Sequence, residues 1–130
     1  MKKTDRQPAI CLDLKWSRLR IHRETLILLG KPQYIEILVS PKNKGVIIRA
    51  ASDGKNSHVV NPKQLKDKQC YELHSREFFR EIQKVTDILD PLNSYRIKGS
   101  LNSEGNAAYF SIKDAALLNP GKDTSSYAGI

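Results

Sequence analysis

Apolar and polar residues alternate in the first part of the chain with the period of a β-strand. The alternation runs through residues 10–16 and resumes at Leu19 and Ile21, which predicts extended segments with one buried face. Because side chains alternate across a pleated strand, Arg18 and Arg20 share the opposite face of the second segment. Two guanidiniums on one face suit a phosphate-contacting surface, and they are also typical of a solvated strand edge. The pattern leaves both interpretations open.

A short helix and a hairpin follow. Residues 22–29 are rich in leucine and stop at Gly30, with Pro32 beyond it, which predicts a helix of about two turns. Apolar and polar positions then alternate from residue 34 to residue 39. The turn-forming segment SPKNKG comes next, and residues 46–50 return as a second strand. This arrangement predicts a β-hairpin.

The second half of the chain repeats these elements. Residues 52–69 are turn-rich and predict a connector with one short strand at most. A helix is expected to begin after Ser75 as its N-cap and to end before Pro91, with Phe78 and Ile82 on its apolar stripe. The flanking segments predict a strand at residues 70–74 and a second hairpin formed by residues 95–101 and 107–113.

The two halves align as copies of one β-α-β-β unit. RIHRETL lies over ELHSREF, YIEILV over YRIKGSL, and GVIIRAA over AAYFSIKDAA. One such unit leaves apolar surface exposed on its hairpin and its helix, whereas two facing units bury both surfaces in one core. The alignment therefore predicts a single α+β domain over residues 9–118, made of half-units 18–51 and 70–116, with mainly antiparallel strands. Residues 1–8 and 119–130 are expected to be a flexible basic N-terminus and a flexible tail.

The first half-unit resembles a known family. Its short strand, its short helix ending in Leu-Gly and its hairpin of the form x-I-x-I-x-V, turn, x-I-I-R resemble the swapped-hairpin domains of the AbrB, MazE and SpoVT type. These are bacterial DNA-binding regulators and antitoxins whose two units interlock into one small barrel. The resemblance implies a swapped-hairpin-like barrel formed by an internal pseudo-dimer, and a DNA-binding transcription regulator of bacterial, mobile-element or phage origin.

The resemblance also implies a set of contacts. Arg18 and Arg20 take the place of the DNA-contacting basic residues at the family's first strand, and Arg23 takes that of one at the helix start. In the second copy, the matching stretch CYELHSR keeps only Arg76 and introduces Glu72. The two halves are therefore expected to be chemically unequal.

The charge of the chain favours a polyanionic partner. Lys and Arg number 22 against 14 Asp and Glu, which gives a net charge of +8. Such a field attracts polyanions without fixing sequence specificity. Basic residues are concentrated within residues 1–23, as Lys2, Lys3, Arg6, Lys15, Arg18, Arg20 and Arg23. The candidate nucleic-acid-binding residues are therefore Lys15, Arg18, Arg20 and Arg23, together with Arg76. The alternative interpretation of this charge is a solubilising surface with a disordered basic tail.

Trp16 has two interpretations. Single-strand binders interleave aromatic and basic side chains on a sheet face, and Trp16, Tyr34 and Arg18 would supply such a platform. Alternatively, Trp16 belongs to the core at the end of a strand.

The sequence shows no candidate active site. His22 and His74 precede the two predicted helices, where a polar side chain can satisfy free backbone N–H groups. Cys11 and Cys70 lie far apart in a chain that looks cytosolic, so a disulfide is not expected and both are predicted to be buried free thiols. The cysteines and histidines also lack zinc-site spacing. No P-loop, dinucleotide-binding or nucleophile-elbow motif occurs. We expect no catalytic residue, no metal, no cofactor and no enzymatic activity.

The expected function is therefore nucleic-acid binding, with DNA as the partner. The alternative is a protein-interaction adaptor or antitoxin-like module that binds no nucleic acid. The longest apolar runs are too short to cross a membrane and no secretory apolar region follows the basic N-terminus, so we expect a cytoplasmic protein without a membrane partner. The expected state is a monomer built as a pseudo-dimer, or a homodimer.

Overall fold

Two five-stranded antiparallel sheets share one hydrophobic core. The computed structural model describes residues 6–55, 57–60 and 69–118, and the α+β class with mainly antiparallel strands is confirmed over them. The elements of this part of the chain are β1 (Ala9–Asp13), β2 (Arg18–His22), α1 (Arg23–Leu28), β3 (Tyr34–Ser40), β4 (Gly45–Ala51), β5 (His58–Val59), β6 (Cys70–His74), α2 (Arg76–Val85), β7 (Ser94–Lys98), β8 (Ser100–Leu101), β9 (Ala107–Ser111) and β10 (Ala116–Leu117).

The order of strands brings both half-units into each sheet. Sheet 1 has the order β10-β7-β1-β2-β6, and sheet 2 has the order β5-β3-β4-β9-β8. The first half-unit supplies β2 to sheet 1 and the β3–β4 hairpin to sheet 2. The second half-unit supplies β6 and β7 to sheet 1 and β9 to sheet 2. Each sheet therefore contains strands of both half-units, joined by long-range pairing.

The core is formed by the inner faces of the two sheets. In sheet 2, Ile35 is fully buried, and Ile37 and Val39 pack against the core, as the alternation of residues 34–39 predicts. The β3–β4 hairpin is confirmed, with Ser40 paired to Gly45 beside the turn. The largest fully buried side chains come from both sheets, both helices and the segment after β9: Phe110, Ile10, Leu12, Leu19, Ile21, Leu26, Ile35, Ile48, Ile82, Ile97, Ile112 and Val46.

The two helices differ in how they are held. In α1, the buried Thr25 hydroxyl accepts a hydrogen bond from the Ala9 backbone N–H at 2.8 Å and donates one to the Ala9 carbonyl at 2.9 Å. The helix is short, so this contact and the burial of Leu26 stabilise it more than propensity does. In α2, the Ser75 hydroxyl accepts a hydrogen bond from Phe78 N–H at 3.1 Å, which confirms Ser75 as the N-cap.

The structure differs from the sequence prediction at the end of α2. The helix stops at Val85 rather than just before Pro91. Beyond it, the Thr86 hydroxyl accepts a hydrogen bond from Ile88 N–H, and the Asp90 carboxylate accepts one from Leu92 N–H. Such local side-chain bonds offer the backbone an alternative to the helix.

The second predicted hairpin is wrong in its first strand. Residues 94–98 form β7, which pairs with β1 in sheet 1. Of the segment predicted as the first hairpin strand, only β8 pairs with β9 in sheet 2. The chain passes from one sheet to the other at Gly99, whose N–H donates to the Pro8 carbonyl at 2.9 Å. A Cβ at this position would lie 2.3 Å from the Tyr109 carbonyl oxygen. The crossing therefore needs glycine.

The chain ends predicted to be flexible are described in part. Residues 1–5 and 119–130 lie outside the described residues. Arg6 forms an ion pair with Glu24, and Pro8 is buried. Within the described residues, no helix is both long enough and apolar enough to cross a membrane.

Candidate nucleic-acid interface

The outer face of sheet 1 gathers basic side chains from β2 and β7, the two strands on either side of β1. Residues paired directly across antiparallel strands point to the same face. Cys11 of β1 pairs with Arg20 of β2 on one side and with Arg96 of β7 on the other. Lys98 lies on the same face of β7, two residues after Arg96. We call this surface the basic face; its charged and titratable side chains are Arg18, Arg20, Arg96, Lys98, Asp13, Glu72, His22, His74, Cys11 and Cys70.

Asp13 is the last residue of β1, the strand that lies between β2 and β7. Its side chain is 2% exposed. Arg18 Nε donates a hydrogen bond of 2.7 Å to Asp13 Oδ2, and Arg20 Nη2 donates one of 3.2 Å to Asp13 Oδ1. Arg20 Nε also lies 3.2 Å from Oδ2, but without hydrogen-bond geometry, so it is a buried charge contact. One carboxylate therefore holds two guanidiniums side by side.

The surroundings keep the Asp13 carboxyl ionised. Burial by itself would raise its pKa, because a carboxylate loses hydration there. Hydrogen bonds from Ser94 and Arg18 and the charges of Arg20 and Arg18 outweigh burial, and the pKa of Asp13 is lowered from its ordinary value near 3.8. The ion pair with Asp13 likewise raises the pKa of Arg18. Both groups are charged at neutral pH.

The basic face keeps a positive balance despite these pairs. Arg18, Arg20, Arg96 and Lys98 face two carboxylates, those of Asp13 and Glu72. The Arg18 and Arg20 side chains remain 33% and 29% exposed, and a guanidinium has five N–H donors in a fixed fork. Asp13 accepts hydrogen bonds from few of these N–H donors. The remaining N–H groups of Arg18 and Arg20 can still bind an anion.

The candidate residues predicted from sequence separate into groups. Arg18 and Arg20 share a face, as the strand pattern predicts. Lys15 lies near the same end of sheet 1 as Arg18, in the 3-10 turn Leu14–Trp16. Arg76 begins α2, directly after the segment where Ser75 N–H donates to the Ser17 carbonyl. Arg23 begins α1 at the opposite end of β2, so it stands apart from the others.

Trp16 is not part of the core. Its side chain is 63% exposed, and Lys15 Nζ lies 5.4 Å from the ring centroid, a cation–π contact. Trp16, Tyr34 and Arg18 do not form the predicted platform on one sheet face either, because Tyr34 belongs to sheet 2 and Arg18 belongs to sheet 1.

Sequence reasoning missed Arg96 and Lys98. Both are exposed on β7, which was expected to pair with residues 107–113 and instead pairs with β1. Their place beside Arg20 depends on contacts more than 70 positions apart in the chain, and the local pattern carries no signal for them.

A cysteine and a histidine are in contact on this face. Cys11 Sγ lies 3.3 Å from His22 Nε2. Burial is the main reason that the pKa of the Cys11 thiol is raised and that of His22 is lowered, so both are neutral at pH 7 and the thiol is a weak nucleophile. No disulfide joins Cys11 and Cys70. Among the described residues, no group of three or more His, Cys, Asp or Glu side chains could hold a metal ion.

Neither His22 nor His74 caps its helix as expected. His22 occupies the N-cap position of α1 without a side-chain capping bond, and its ring contacts Cys11 instead. At α2 the N-cap is Ser75, so His74 remains on β6, paired with Arg18 across the strands.

Comparison of the chain with protein-family models, with curated proteins and with solved structures gave no match. The resemblance to the swapped-hairpin domains therefore stays a prediction, and the argument for function depends on the geometry of the chain itself.

Proposed function

We propose that the protein is a small nucleic-acid-binding regulator that contacts the phosphates of DNA with the basic face of sheet 1. The observation that carries this proposal is the convergence of Arg18 and Arg20 of β2 with Arg96 and Lys98 of β7 on the two sides of β1, with two of the guanidiniums held in place by Asp13. Phosphate contacts supply most of the affinity in such complexes. Arginines fixed by a carboxylate lose less side-chain entropy when they bind.

We also propose that the two half-units are related by a pseudo-two-fold axis, as in a fused swapped-hairpin dimer. The register of β2 and β6 supports this. Arg20 pairs with Glu72, the residue over which the sequence alignment places it. Arg18 pairs with His74, which aligns with His22, and His22 pairs with Cys70, which aligns with Arg18. A two-fold axis between the strands produces such reciprocal pairing.

The register of β4 and β9 supports the same axis. When GVIIRAA and AAYFSIKDAA are aligned from their first residues, Ile47 lies over Tyr109, and these two residues pair with each other. On either side, Gly45 pairs with Ser111 and Arg49 pairs with Ala107, again the reciprocal pattern. This axis passes through the basic face beside Arg20 and Glu72. The two halves therefore present unlike charges there, and we propose recognition of DNA without strict two-fold symmetry.

The proposal predicts salt-sensitive binding to duplex DNA that depends on the basic face. The double variant Arg96→Gln/Lys98→Gln removes two cations that form no ion pair within the described residues. Each lost phosphate contact should reduce the slope of log affinity against log salt concentration by about 0.9. Fluorescence anisotropy with a labelled duplex at several salt concentrations measures this slope.

The matched control is Arg80→Gln/Lys55→Gln, which removes the same charges from exposed positions outside sheet 1 that likewise form no ion pair within the described residues. Its slope should equal that of the unchanged protein. Equal slopes for the two double variants would contradict the proposed interface. Absence of binding at low salt would favour the alternative protein-interaction module, for which the exposed Leu38 and Val59 of sheet 2 are the natural contact surface.

A further inference from the structure

A second basic surface lies away from the strands of sheet 1. A groove of about 940 Å³ opens between the β3–β4 turn, the end of α2 and the 3-10 turn Ile112–Asp114. Lysines from all three segments line it: Lys42, Lys44, Lys84 and Lys113. Among the described residues that line the groove, Asp87 is the one carboxylate. The groove is therefore a concentration of positive charge.

The groove lysines differ in their pairing from the arginines that carboxylates hold in place. Within the described residues, Arg6, Arg18, Arg20 and Arg49 all form ion pairs with carboxylates. Lys84 is paired with Glu81 at 3.1 Å and also offsets the partial negative charge at the C-terminal end of α2. Lys42, Lys44 and Lys113 form no ion pair in the part of the chain that the structure describes. Their charge is available to an external anion.

The groove also has a fixed floor. The Tyr109 hydroxyl donates a hydrogen bond of 2.7 Å to the Asn43 carbonyl, and Ile112 N–H donates one of 3.0 Å to the Lys44 carbonyl. Gly45 lets the Tyr109 ring pack directly on the turn, because a Cβ there would lie 2.5 Å from the ring. The backbone carrying Lys42 and Lys44 is therefore locked to the segment that carries Lys113, and binding needs little backbone ordering.

The chemistry of the walls indicates the kind of ligand. Lysine ammonium groups are compact point charges that bind phosphate without the planar match arginine needs. Three unpaired lysines from two segments suit more than one phosphoryl group. The side chain of Ile88, 59% exposed at the edge, and the Tyr109 ring offer apolar contact to a base or ring. A single small anion would leave most of a groove of this size unfilled.

We propose that this groove is a second anion-binding site, distinct from the basic face, for a ligand that carries at least two phosphoryl groups. Such a ligand is either a free nucleotide polyphosphate or a stretch of nucleic-acid backbone, and the two share the chemistry that the lysines recognise. The site does not depend on DNA binding by sheet 1.

The test uses the full chain and three probes: inorganic tripolyphosphate, ATP without metal, and a short labelled oligo-dT. Calorimetry measures the first two and anisotropy the third, at about 50 mM salt. The double variant Lys42→Gln/Lys113→Gln should weaken binding of the probe that occupies the groove by about tenfold or more, because two charges are lost. Both lysines are exposed, and circular dichroism checks that the variant is folded.

Two matched controls separate this inference from the proposed function. Lys31→Gln/Lys55→Gln removes equal charge from exposed positions outside the groove, and Arg96→Gln/Lys98→Gln removes it from the basic face; both should bind the groove probe within about twofold of the unchanged protein. Binding of tripolyphosphate or ATP identifies a free polyphosphate ligand. Binding of oligo-dT alone identifies nucleic acid as the groove ligand if it is weakened in Lys42→Gln/Lys113→Gln and kept in Arg96→Gln/Lys98→Gln; the opposite pattern assigns the oligo-dT to the basic face and overturns the inference. No binding of any probe, or equal losses in all three double variants, would overturn the inference.

Discussion

Replacing Gly99 with alanine is expected to lower the free energy of unfolding by about 3 kcal/mol. The new methyl group would lie 2.3 Å from the Tyr109 carbonyl oxygen and 2.6 Å from the Phe110 ring. The first of these atoms belongs to the backbone of β9 and the second to a fully buried side chain, so no rotamer change relieves the contact. The sheets must separate locally where the chain crosses between them. Urea unfolding followed by far-UV circular dichroism measures the change; exposed Trp16 is a poor fluorescence probe.

The matched control for this substitution is Gly54→Ala. It makes the same chemical change in an exposed turn, where the nearest contact is the Tyr34 ring at 3.3 Å. We expect a change below about 1 kcal/mol, since reduced freedom of the unfolded chain offsets a small contact strain. If Gly99→Ala unfolds at the same urea concentration as the control, the crossing tolerates a side chain and our account of it is wrong.

The parts of the fold that follow from the sequence are those with local causes. The β3–β4 hairpin is predicted because Ile35, Ile37 and Val39 alternate with outward residues and a turn segment follows directly. The start of α2 is predicted because a serine hydroxyl at the N-cap satisfies a free N–H within three residues. Its end at Val85 also had a local signal, in the backbone-bonding side chains of Thr86 and Asp90.

The part that could not be predicted has non-local causes. Residues 94–98 alternate like any strand, and the pattern does not say whether the partner is β9, close in sequence, or β1, far from it. The decision is made at Gly99, where Pro8 on one side and Tyr109 on the other approach the backbone. A glycine in a strand indicates that another backbone approaches it closely, but the glycine does not identify which segment of the chain that is.

The same distinction applies to the basic face. Alternation alone predicts that Arg18 and Arg20 share a face. The role of Asp13 depends on the tight connection between β1 and β2. The alternation of apolar residues continues through residue 16, so the sequence did not indicate that β1 ends at Asp13. Once β1 ends at Asp13, antiparallel pairing places its carboxylate opposite Arg18. The arginines singled out for phosphate contact are therefore also part of an internal ion-pair network.

Replacing Asp13 with asparagine should therefore destabilise the protein by about 2 kcal/mol at pH 7. The amide keeps the shape of the carboxylate but turns an acceptor into a donor facing guanidinium N–H groups. A fully buried ion pair would cost more when broken, but both arginines are about one-third exposed, and solvent screens part of the loss. Urea unfolding by circular dichroism measures the effect. The charge-matched control Glu104→Gln, at an exposed turn position, should change stability by less than about 0.5 kcal/mol.

The pH dependence of this difference tests its electrostatic origin. The pKa of Asp13 is lower in the folded protein than its ordinary value near 3.8, so the carboxylate contributes stability above that value and loses it as pH falls through the folded pKa. The gap between the unchanged protein and Asp13→Asn should thus be constant near neutral pH and shrink below about pH 4. In addition, Arg18→Gln combined with Asp13→Asn should cost less than the sum of the single changes, because the two residues share one interaction. If the stability difference stays the same in acid and the losses of the two single variants add up in the double variant, Asp13 acts through packing alone. The charge of Asp13 would then not be what positions the arginines of the basic face.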